Sequence, residues 1–158
     1  MTEVQFRAAS IDDLPAIIEL LADDEIGQTR EVVTDPVDQR YQQAFGAIQA
    51  DTNQLLAVAI STPGGSVVGC IQLSFIPGLS RTGMWRGQIE SVRIAQSQRG
   101  GGLGREMFEW ALEVFRERRC QLVQLTTDKE RPGALKFYQS LGFIATHEGM
   151  KLTLDLAS

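Results

Sequence analysis

The chain has little of the chemistry that metal sites and disulfide frameworks require. It contains two cysteines, Cys70 and Cys120, and a single histidine, His147. Two distant cysteines cannot build a disulfide framework and lack the spacing of zinc ligands, so buried, reduced thiols are expected. One histidine is too few for a histidine-based metal site. We therefore expect no metal, and we expect His147 to be a surface or hydrogen-bonded structural residue.

Long apolar runs and a basic surface are also missing. No stretch approaches the roughly 18 apolar residues of a membrane-spanning helix, and no signal pattern opens the chain, so we expect a cytoplasmic protein without a membrane partner. The net charge of −5 argues against nucleic-acid binding and is more compatible with a cationic substrate. With 158 residues, 43% of them hydrophobic, one globular domain over 1–158 is expected.

Apolar periodicity in the first half predicts a strand, two helices and an antiparallel pair of strands. The predicted elements are a strand over 3–9, a helix through Leu14 and Leu21, a helix from Asp35-Pro36 to about Ala50, and strands over 54–61 and 66–76. The acidic segment from Asp23 to Asp38 lacks a period and is predicted to be a loop. Its carboxylates form either a solvated surface or an entrance that attracts an amine.

A strand, a glycine-rich turn and a helix follow one another between Gln88 and Trp110. Four glycines occupy five positions after the strand: Gly100, Gly101, Gly102 and Gly104. Each glycine in a helix costs roughly 1 kcal/mol relative to alanine, so the cluster indicates either a flexible turn or close approach of the backbone to a ligand. The unpaired N–H groups of a helix start suit an anion such as pyrophosphate.

The spacing of these glycines excludes two common nucleotide loops. The dinucleotide pattern Gly-x-Gly-x-x-Gly fails at Arg105, and the chain has no Gly-Lys-Ser/Thr tripeptide for a P-loop. The stretch from Arg99 to Gly104 instead fits Arg/Gln-x-x-Gly-x-Gly/Ala. It resembles the pyrophosphate loop of the GNAT superfamily of CoA-dependent N-acyltransferases.

A second motif strengthens the resemblance. After a short predicted strand at Leu122–Leu125 and a Pro132-Gly133 turn, residues 134–143 match Ala-x-x-Phe-Tyr-x-x-x-Gly-Phe, which lies near the end of GNAT enzymes. Gly142 is expected to end this helix, and a final strand or hairpin is predicted over Phe143–Leu156. The resemblance implies an α/β (α+β) single-domain GNAT-type fold, with a mixed, mostly antiparallel sheet of six or seven strands and about four helices.

The same resemblance implies transfer of an acetyl group from acetyl-CoA to a primary amine by direct attack, without a metal. It places CoA against Val92, Arg93, Ile94, Arg99, Gly100, Gly101, Gly102, Leu103, Gly104, Arg105 and Phe137. Arg131 stands where many family members have Asn. This departure puts the family's water path in doubt, and it makes contact between Lys129 or Arg131 and the CoA phosphates an alternative expectation.

Two residues are candidates for proton transfer. Tyr138 matches the family tyrosine that protonates the departing thiolate, and a phenol with a pKa of about 10 stays protonated beside a thiol of about 8.5. Its alternative role is that of an ordinary interface aromatic. Glu90 is expected to deprotonate the amine through a water, unless it pairs with Arg86 or Arg93. Weaker candidates for the base are Asp24, Glu25 and Asp128.

The acceptor is expected to be a small-molecule amine. The alternatives are a protein N-terminus or lysine as acceptor, and a non-catalytic acyl-CoA-binding regulatory domain. The segments from Asp23 to Asp38 and from Pro77 to Trp85 are expected to choose the acceptor. The frequent dimers of the family make a homodimer an open alternative, but the sequence does not identify its surface.

Overall fold

Five strands form one mixed sheet whose spatial order follows the chain order. The structure, a computed structural model, describes residues 3–131 and 133–156. The strands in these residues are β1 (Glu3–Ala8), β2 (Gln54–Thr62), β3 (Val67–Ile76), β4 (Arg86–Ile94) and β5 (Leu122–Gln124). Neighbours from β1 to β4 are antiparallel, and β5 pairs with β4 in parallel. The predicted α/β fold is confirmed, with five strands in the described residues where six or seven were predicted.

The described residues contain six α-helices, besides two 3-10 helices at Ile11–Asp13 and Gln96–Gln98. The α-helices are α1 (Leu14–Ala22), α2 (Glu25–Arg30), α3 (Gln39–Ala50), α4 (Ser80–Gly83), α5 (Leu103–Glu117) and α6 (Ala134–Ser140). The turn α4 is not an ordinary helix, because Arg81 and Thr82 have left-handed φ angles of 54° and 60°. The two elements beyond the predicted four are the short ones, α2 and α4.

The chain divides into two compact units, Met1–Leu125 and Thr126–Ser158. The first unit holds all five strands and α1 to α5, and the second unit holds α6. The single domain over 1–158 stays a prediction.

Two predictions for the acidic segment were wrong, namely that it is a loop throughout and that the next helix begins at Asp35-Pro36. Within the predicted loop, the Asp24 carboxylate accepts a hydrogen bond from the Gly27 N–H at 2.5 Å and so caps the start of α2. The next helix begins at Gln39 instead of at Asp35-Pro36, because Asp38 is its N-cap and accepts from the Arg40 N–H at 2.9 Å. A short polar side chain at the N-cap determines where each of these two helices begins, and the pattern of apolar residues does not reveal it.

The predicted final strand was also wrong, since residues 143–156 form no strand. Met150, Leu152 and Leu154 alternate with polar residues as in a strand, yet they are 92%, 84% and 70% exposed. A strand needs a neighbour for its N–H and C=O groups, and alternation alone does not supply one. Pro132, part of the predicted turn before α6, lies outside the described residues.

Helices cover both faces of the sheet in the first unit. On one face, Ile17 of α1 packs with Val58 and Cys70 in a buried cluster. On the other face, Phe115 of α5 meets Phe75 edge to face, with ring centroids 5.5 Å apart. A Cβ atom on Gly87 would lie 2.3 Å from the Phe115 ring, so this glycine lets α5 approach β4 closely. Each fully buried aromatic or aliphatic side chain stabilises the fold by roughly 1.5–3 kcal/mol.

Candidate functional site

β4 extends well beyond its parallel neighbour. β5 pairs only with Arg86, Gly87 and Gln88, whereas β4 runs on to Ile94. After Gln88, the edge of β4 that faces β5 therefore has no strand paired with it among the described residues. Val92, Arg93 and Ile94, the predicted pantetheine contacts, lie on this stretch. Backbone groups on such an edge can pair with an extended ligand that carries amides.

A β-bulge interrupts β4 just before these residues. The pairing with β3 shifts register between Cys70 and Gln72, and Ser91 has a φ of 55°. The Cys70 thiol lies 3.5 Å from the Ser91 carbonyl oxygen, and burial raises the pKa of Cys70 to about 12. The prediction of a buried free thiol is confirmed for Cys70, whereas Cys120 is free and half-buried. Bulges of this kind re-aim backbone groups and are frequent beside active sites.

The glycine-rich loop joins β4 to α5. Gly102 is the N-cap of α5 and has a left-handed φ of 86°, which would cost another residue about 1–2 kcal/mol. A Cβ atom on Gly100 or Gly102 would meet no described atom within 4 Å. Gly100 and Gly102 therefore serve the backbone conformation, and the space beside them is open.

The start of α5 presents backbone donors to that space. No side chain of the described residues caps this helix end, and the N–H groups of Leu103 and Gly104 have no acceptor within the helix. The Glu106 N–H donates to the Gly102 carbonyl at 3.1 Å. Backbone donors at the positive end of the helix dipole form an arrangement that suits a phosphate group.

Arg99, at the start of the glycine-rich loop, pairs with Asp23 at the end of α1. Its Nη2 lies 3.6 Å from Asp23 Oδ2, and its Nε donates to the Ile94 carbonyl at 3.3 Å. Both charged side chains are about half exposed, so the ion pair contributes about 0–1 kcal/mol. One carboxylate of the acidic segment therefore lies beside the glycine loop. A contact between Arg99 and the ligand stays a prediction.

Glu90 lies on β4 directly before the bulge and is exposed. Its side chain forms no ion pair or hydrogen bond within residues 3–131 and 133–156, so the alternative pairings with Arg86 and Arg93 are not observed. Arg93 Nη1 instead donates to the Val92 carbonyl at 2.8 Å. Two weaker candidates for the base are engaged in local caps, since Asp24 caps α2 and Asp128 accepts from the Glu130 N–H at 2.9 Å.

In the second unit, Tyr138 lies on α6. Its half-buried ring packs between those of Phe137 and Phe143, with centroids 5.6 and 6.2 Å away. The Phe143 N–H donates to the Tyr138 carbonyl at 3.1 Å and the Gly142 N–H to the Gln139 carbonyl at 3.0 Å, which is a Schellman motif. The prediction that Gly142 ends this helix is confirmed, with a φ of 100° at that residue.

The two remaining predicted residues of the second unit have local roles. The Arg131 N–H donates to the Asp128 carbonyl at 3.0 Å, which places Arg131 at the end of a tight turn before α6. Contact between its side chain and CoA phosphates stays a prediction. His147 is exposed, and its Nδ1 lies 2.6 Å from Thr146 Oγ1, so the prediction of a hydrogen-bonded surface histidine is confirmed.

One feature near Glu90 was missed at the sequence level. Uncharged polar side chains line up across four adjacent strands on one face of the sheet, and we call them the polar row: Gln54, Gln72, Ser74, Gln88 and Gln124. The alternation of Gln88 and Glu90 with buried neighbours was a visible signal. Its extension across the sheet depends on strand register, which no single strand encodes.

Two kinds of structure are not found in the part of the chain that the structure describes. None of its helices combines the length and apolarity needed to cross a membrane. None of its side-chain clusters brings together three or more metal-binding residues of the His, Cys, Asp or Glu type.

Comparison with known proteins identifies relatives along most of the chain. Residues 14–143 match the model of the acetyltransferase (GNAT) family. The glucosamine 6-phosphate N-acetyltransferase of Trypanosoma brucei brucei is 36% identical over 92 residues, which are 58% of this chain and 60% of that protein. The aminoalkylphosphonate N-acetyltransferase of Salmonella typhimurium is 26% identical over 93% of this chain and 89% of its own length. N-alpha-acetyltransferase 30 of Saccharomyces cerevisiae is 26% identical over 72% of this chain and 77% of its own length.

Solved structures resemble the fold over almost its full length. A transcriptional regulator from Bacillus halodurans C-125 is 44% identical, with a TM-score of 0.91 over 96% of this chain and 100% of its own. An acetyltransferase from Trypanosoma brucei is 28% identical, with a TM-score of 0.78 over 96% of this chain and 100% of its own.

Proposed function

The chain belongs to the GNAT acetyltransferase family, and we propose that it transfers an acetyl group from acetyl-CoA to the primary amine of a small molecule. The observation that carries this proposal is the uncapped start of α5 beside an open edge of β4. Two relatives with small-molecule acceptors, named for glucosamine 6-phosphate and aminoalkylphosphonates, support a small acceptor. A cytoplasmic location and a homodimer remain predictions.

We assign substrate binding to the loop and the strand edge. The N–H groups of Leu103 and Gly104 hold the pyrophosphate, because they are donors without helical acceptors at the positive end of a dipole. Arg105 follows them in the same turn and adds a contact to the phosphates. The backbone of Val92 to Ile94 pairs with the amides of the pantetheine arm. The bulge at Ser91 directs an N–H of this stretch toward the thioester carbonyl, where it stabilises the oxyanion of the tetrahedral intermediate.

Two side chains move the protons. Glu90 accepts a proton from the incoming ammonium through a water, and the freed amine nitrogen forms a bond to the thioester carbon. As the carbon–sulfur bond breaks, the Tyr138 hydroxyl donates its proton to the thiolate sulfur. The products are the N-acetylated amine and CoA thiol. The nitrogen of the tetrahedral intermediate loses its second proton to solvent. Glu90 then releases its proton to solvent and Tyr138 recovers one, so the net reaction releases one proton and needs no further reactant.

The experiment that tests this proposal is a thiol-release assay. The purified chain is mixed with acetyl-CoA and a panel of polyamines, amino sugars, aminoalkylphosphonates, amino acids and lysine peptides. We expect release of CoA thiol that depends on a small amine and saturates with it. Release only with peptides would replace the small acceptor by a protein acceptor, the activity for which the yeast relative is named.

A regulatory role is the second candidate, because the Bacillus halodurans structure that is 44% identical to this chain is that of a transcriptional regulator. In this reading the chain binds acyl-CoA as a signal and does not turn it over. Calorimetric CoA binding together with no thiol release across the whole panel would favour this candidate and contradict the enzyme.

A further inference from the structure

The polar row occupies positions on one face of the sheet where apolar core residues would be usual. Register places Gln54 opposite Ser74, Ser74 opposite Gln88 and Gln88 opposite Gln124. Gln72 Nε2 and Ser74 Oγ each donate to Gln54 Oε1 at 3.1 Å, and Gln124 Nε2 donates to Gln88 Oε1 at 3.0 Å. Ser74 is buried and the four glutamines are half-buried. The row is therefore an ordered, uncharged polar surface.

Alternation along β4 fixes which face carries this surface. Gly87 lies under Phe115 of α5, so Gly87 and Ile89 face that helix. Arg86, Gln88 and Glu90 point to the opposite face, because successive side chains of a strand alternate. On β4 the polar row is therefore flanked on one side by Glu90, whose side chain is exposed directly before the bulge.

Two opposite charges flank the polar row on β4. Arg86 and Glu90 are each two residues from Gln88, and their Cα atoms are about 14 Å apart at roughly 3.4 Å per residue. Arg86 is half-buried, and within the described ranges neither side chain makes an ion pair or a side-chain hydrogen bond. A partly buried arginine without a partner forgoes the pairing that normally offsets its desolvation. A ligand carrying both charges would supply partners to both residues.

We propose that the polar row is the acceptor subsite and that it selects amines carrying an anionic group. The ammonium lies at Glu90, where the acetyl group is transferred, and a phosphonate, phosphate or carboxylate lies against the Arg86 guanidinium, whose fork of donors fits such oxyanions. The proposal requires the Arg86 and Glu90 side chains to lean toward Gln88, so that the gap between them matches a short aminoalkyl chain. This inference rests on the proposed acetyl transfer at Glu90.

Three acceptors of matched length test the inference: aminoethylphosphonate, β-alanine and ethanolamine. They share an aminoethyl group and end in a phosphonate, a carboxylate or a neutral hydroxyl. We expect kcat/KM for at least one of the two anionic amines to exceed that for ethanolamine by tenfold or more. The phosphonate and carboxylate arms then show which oxyanion the site prefers.

Variants of Arg86 distinguish an effect on the choice of acceptor amine from an effect on protein folding. Arg86→Gln is expected to reduce the preference for the anionic amine at least tenfold, and comparison with the wild-type protein cancels the intrinsic reactivity of each amine. Arg86→Glu is expected to move the preference toward propanediamine, which a folding defect cannot imitate. The control is Arg116→Gln on α5, where Arg116 pairs with Glu113 on the helix surface, and it is expected to leave the preference unchanged.

The outcomes distinguish this inference from the proposed function. Equal kcat/KM for all three acceptors, or a preference that Arg86→Gln leaves intact, overturns the inference and leaves acetyl transfer standing. Absence of thiol release with every amine overturns both.

Discussion

The helices α5 and α6 share the same ends and differ along their lengths. Both follow a left-handed glycine without a side-chain cap, Gly102 before α5 and Gly133 before α6. Both close with a Schellman motif, in which the Cys120 N–H donates to the Phe115 carbonyl at 3.0 Å in α5. Only α5 buries side chains, namely Leu103, Met107, Phe108, Ala111 and Phe115, whereas no residue of α6 is buried.

Because of this difference, the glycine loop and Tyr138 are held in place in different ways. The glycine loop is held by a packed helix of 15 residues, while Tyr138 lies on a helix of seven residues that depends on ring contacts and its terminal turn. A helix this short is marginal by itself in water. We therefore expect changes in α5 to act first on stability, and changes in α6 to act first on turnover.

The largest effect is expected from Phe108→Ala in α5. Phe108 is 0% exposed, so the substitution removes about 3–5 kcal/mol from the free energy of unfolding through lost burial and a cavity. Denaturant titration measures it. Leu135→Ala in α6 is the comparison, because Leu135 is 48% exposed and is expected to change stability by about 0.5 kcal/mol or less. Similar losses for the two variants would contradict the contrast between the helices.

The next effect is expected from Tyr138→Phe. It removes the proposed proton donor and should lower kcat about a hundredfold or more, while CoA affinity and the unfolding midpoint stay near wild type. Tyr41→Phe is the matched control, since the Tyr41 hydroxyl donates to Glu31 at 3.0 Å in the first unit and has no proposed role in proton transfer. Unchanged kcat in Tyr138→Phe would remove this tyrosine from the mechanism.

A smaller effect is expected from Gly102→Val. Valine resists the left-handed backbone of the loop by about 1–2 kcal/mol, so the loop distorts and CoA affinity should fall about tenfold in calorimetry. Gly65→Val, in the β2–β3 turn at a φ of 70°, meets the same strain with open space around it. It is expected to retain CoA affinity. Wild-type CoA affinity in Gly102→Val would place the pyrophosphate elsewhere.

The smallest effect concerns the end of α5. Arg119 has a left-handed φ of 62° at the position where α6 has Gly142. Arg119→Gly should raise the free energy of unfolding by about 0.5–1 kcal/mol, because relief of the backbone strain exceeds the added entropy of the unfolded chain. Arg116→Gly, inside the same helix, should lower it by about 1 kcal/mol. A loss of stability in both variants would show that Arg119 is not strained.

The elements that could be predicted from the sequence are those in which apolar residues recur at a regular spacing. The apolar positions of α5 recur at helical spacing, and the turn between β2 and β3 lies between two apolar runs, so both were predicted. The helix α2 was missed because its start depends on one contact, from the Gly27 N–H to the Asp24 carboxylate. The strand predicted over Phe143–Leu156 failed because pairing requires a neighbour that the segment does not specify.

The candidate site likewise has parts that could be predicted from the sequence and parts that could not. The glycine loop and the Tyr138 motif are continuous in sequence and were found by their spacing. The bulge at Ser91 and the polar row are relations between strands, since each depends on which residue of β3 faces which residue of β4. Arg86 was predicted only as an alternative partner of Glu90, and the register shows instead that Gln88 lies between them on one face.

The most direct test of the central claim is the mass of the acceptor amine after incubation with acetyl-CoA and the purified chain. The account predicts that the amine gains the mass of one acetyl group at a rate proportional to the amount of protein, and that this gain is lost in Tyr138→Phe. An amine of unchanged mass, with acetyl-CoA bound but intact, would contradict acetyl transfer at this site.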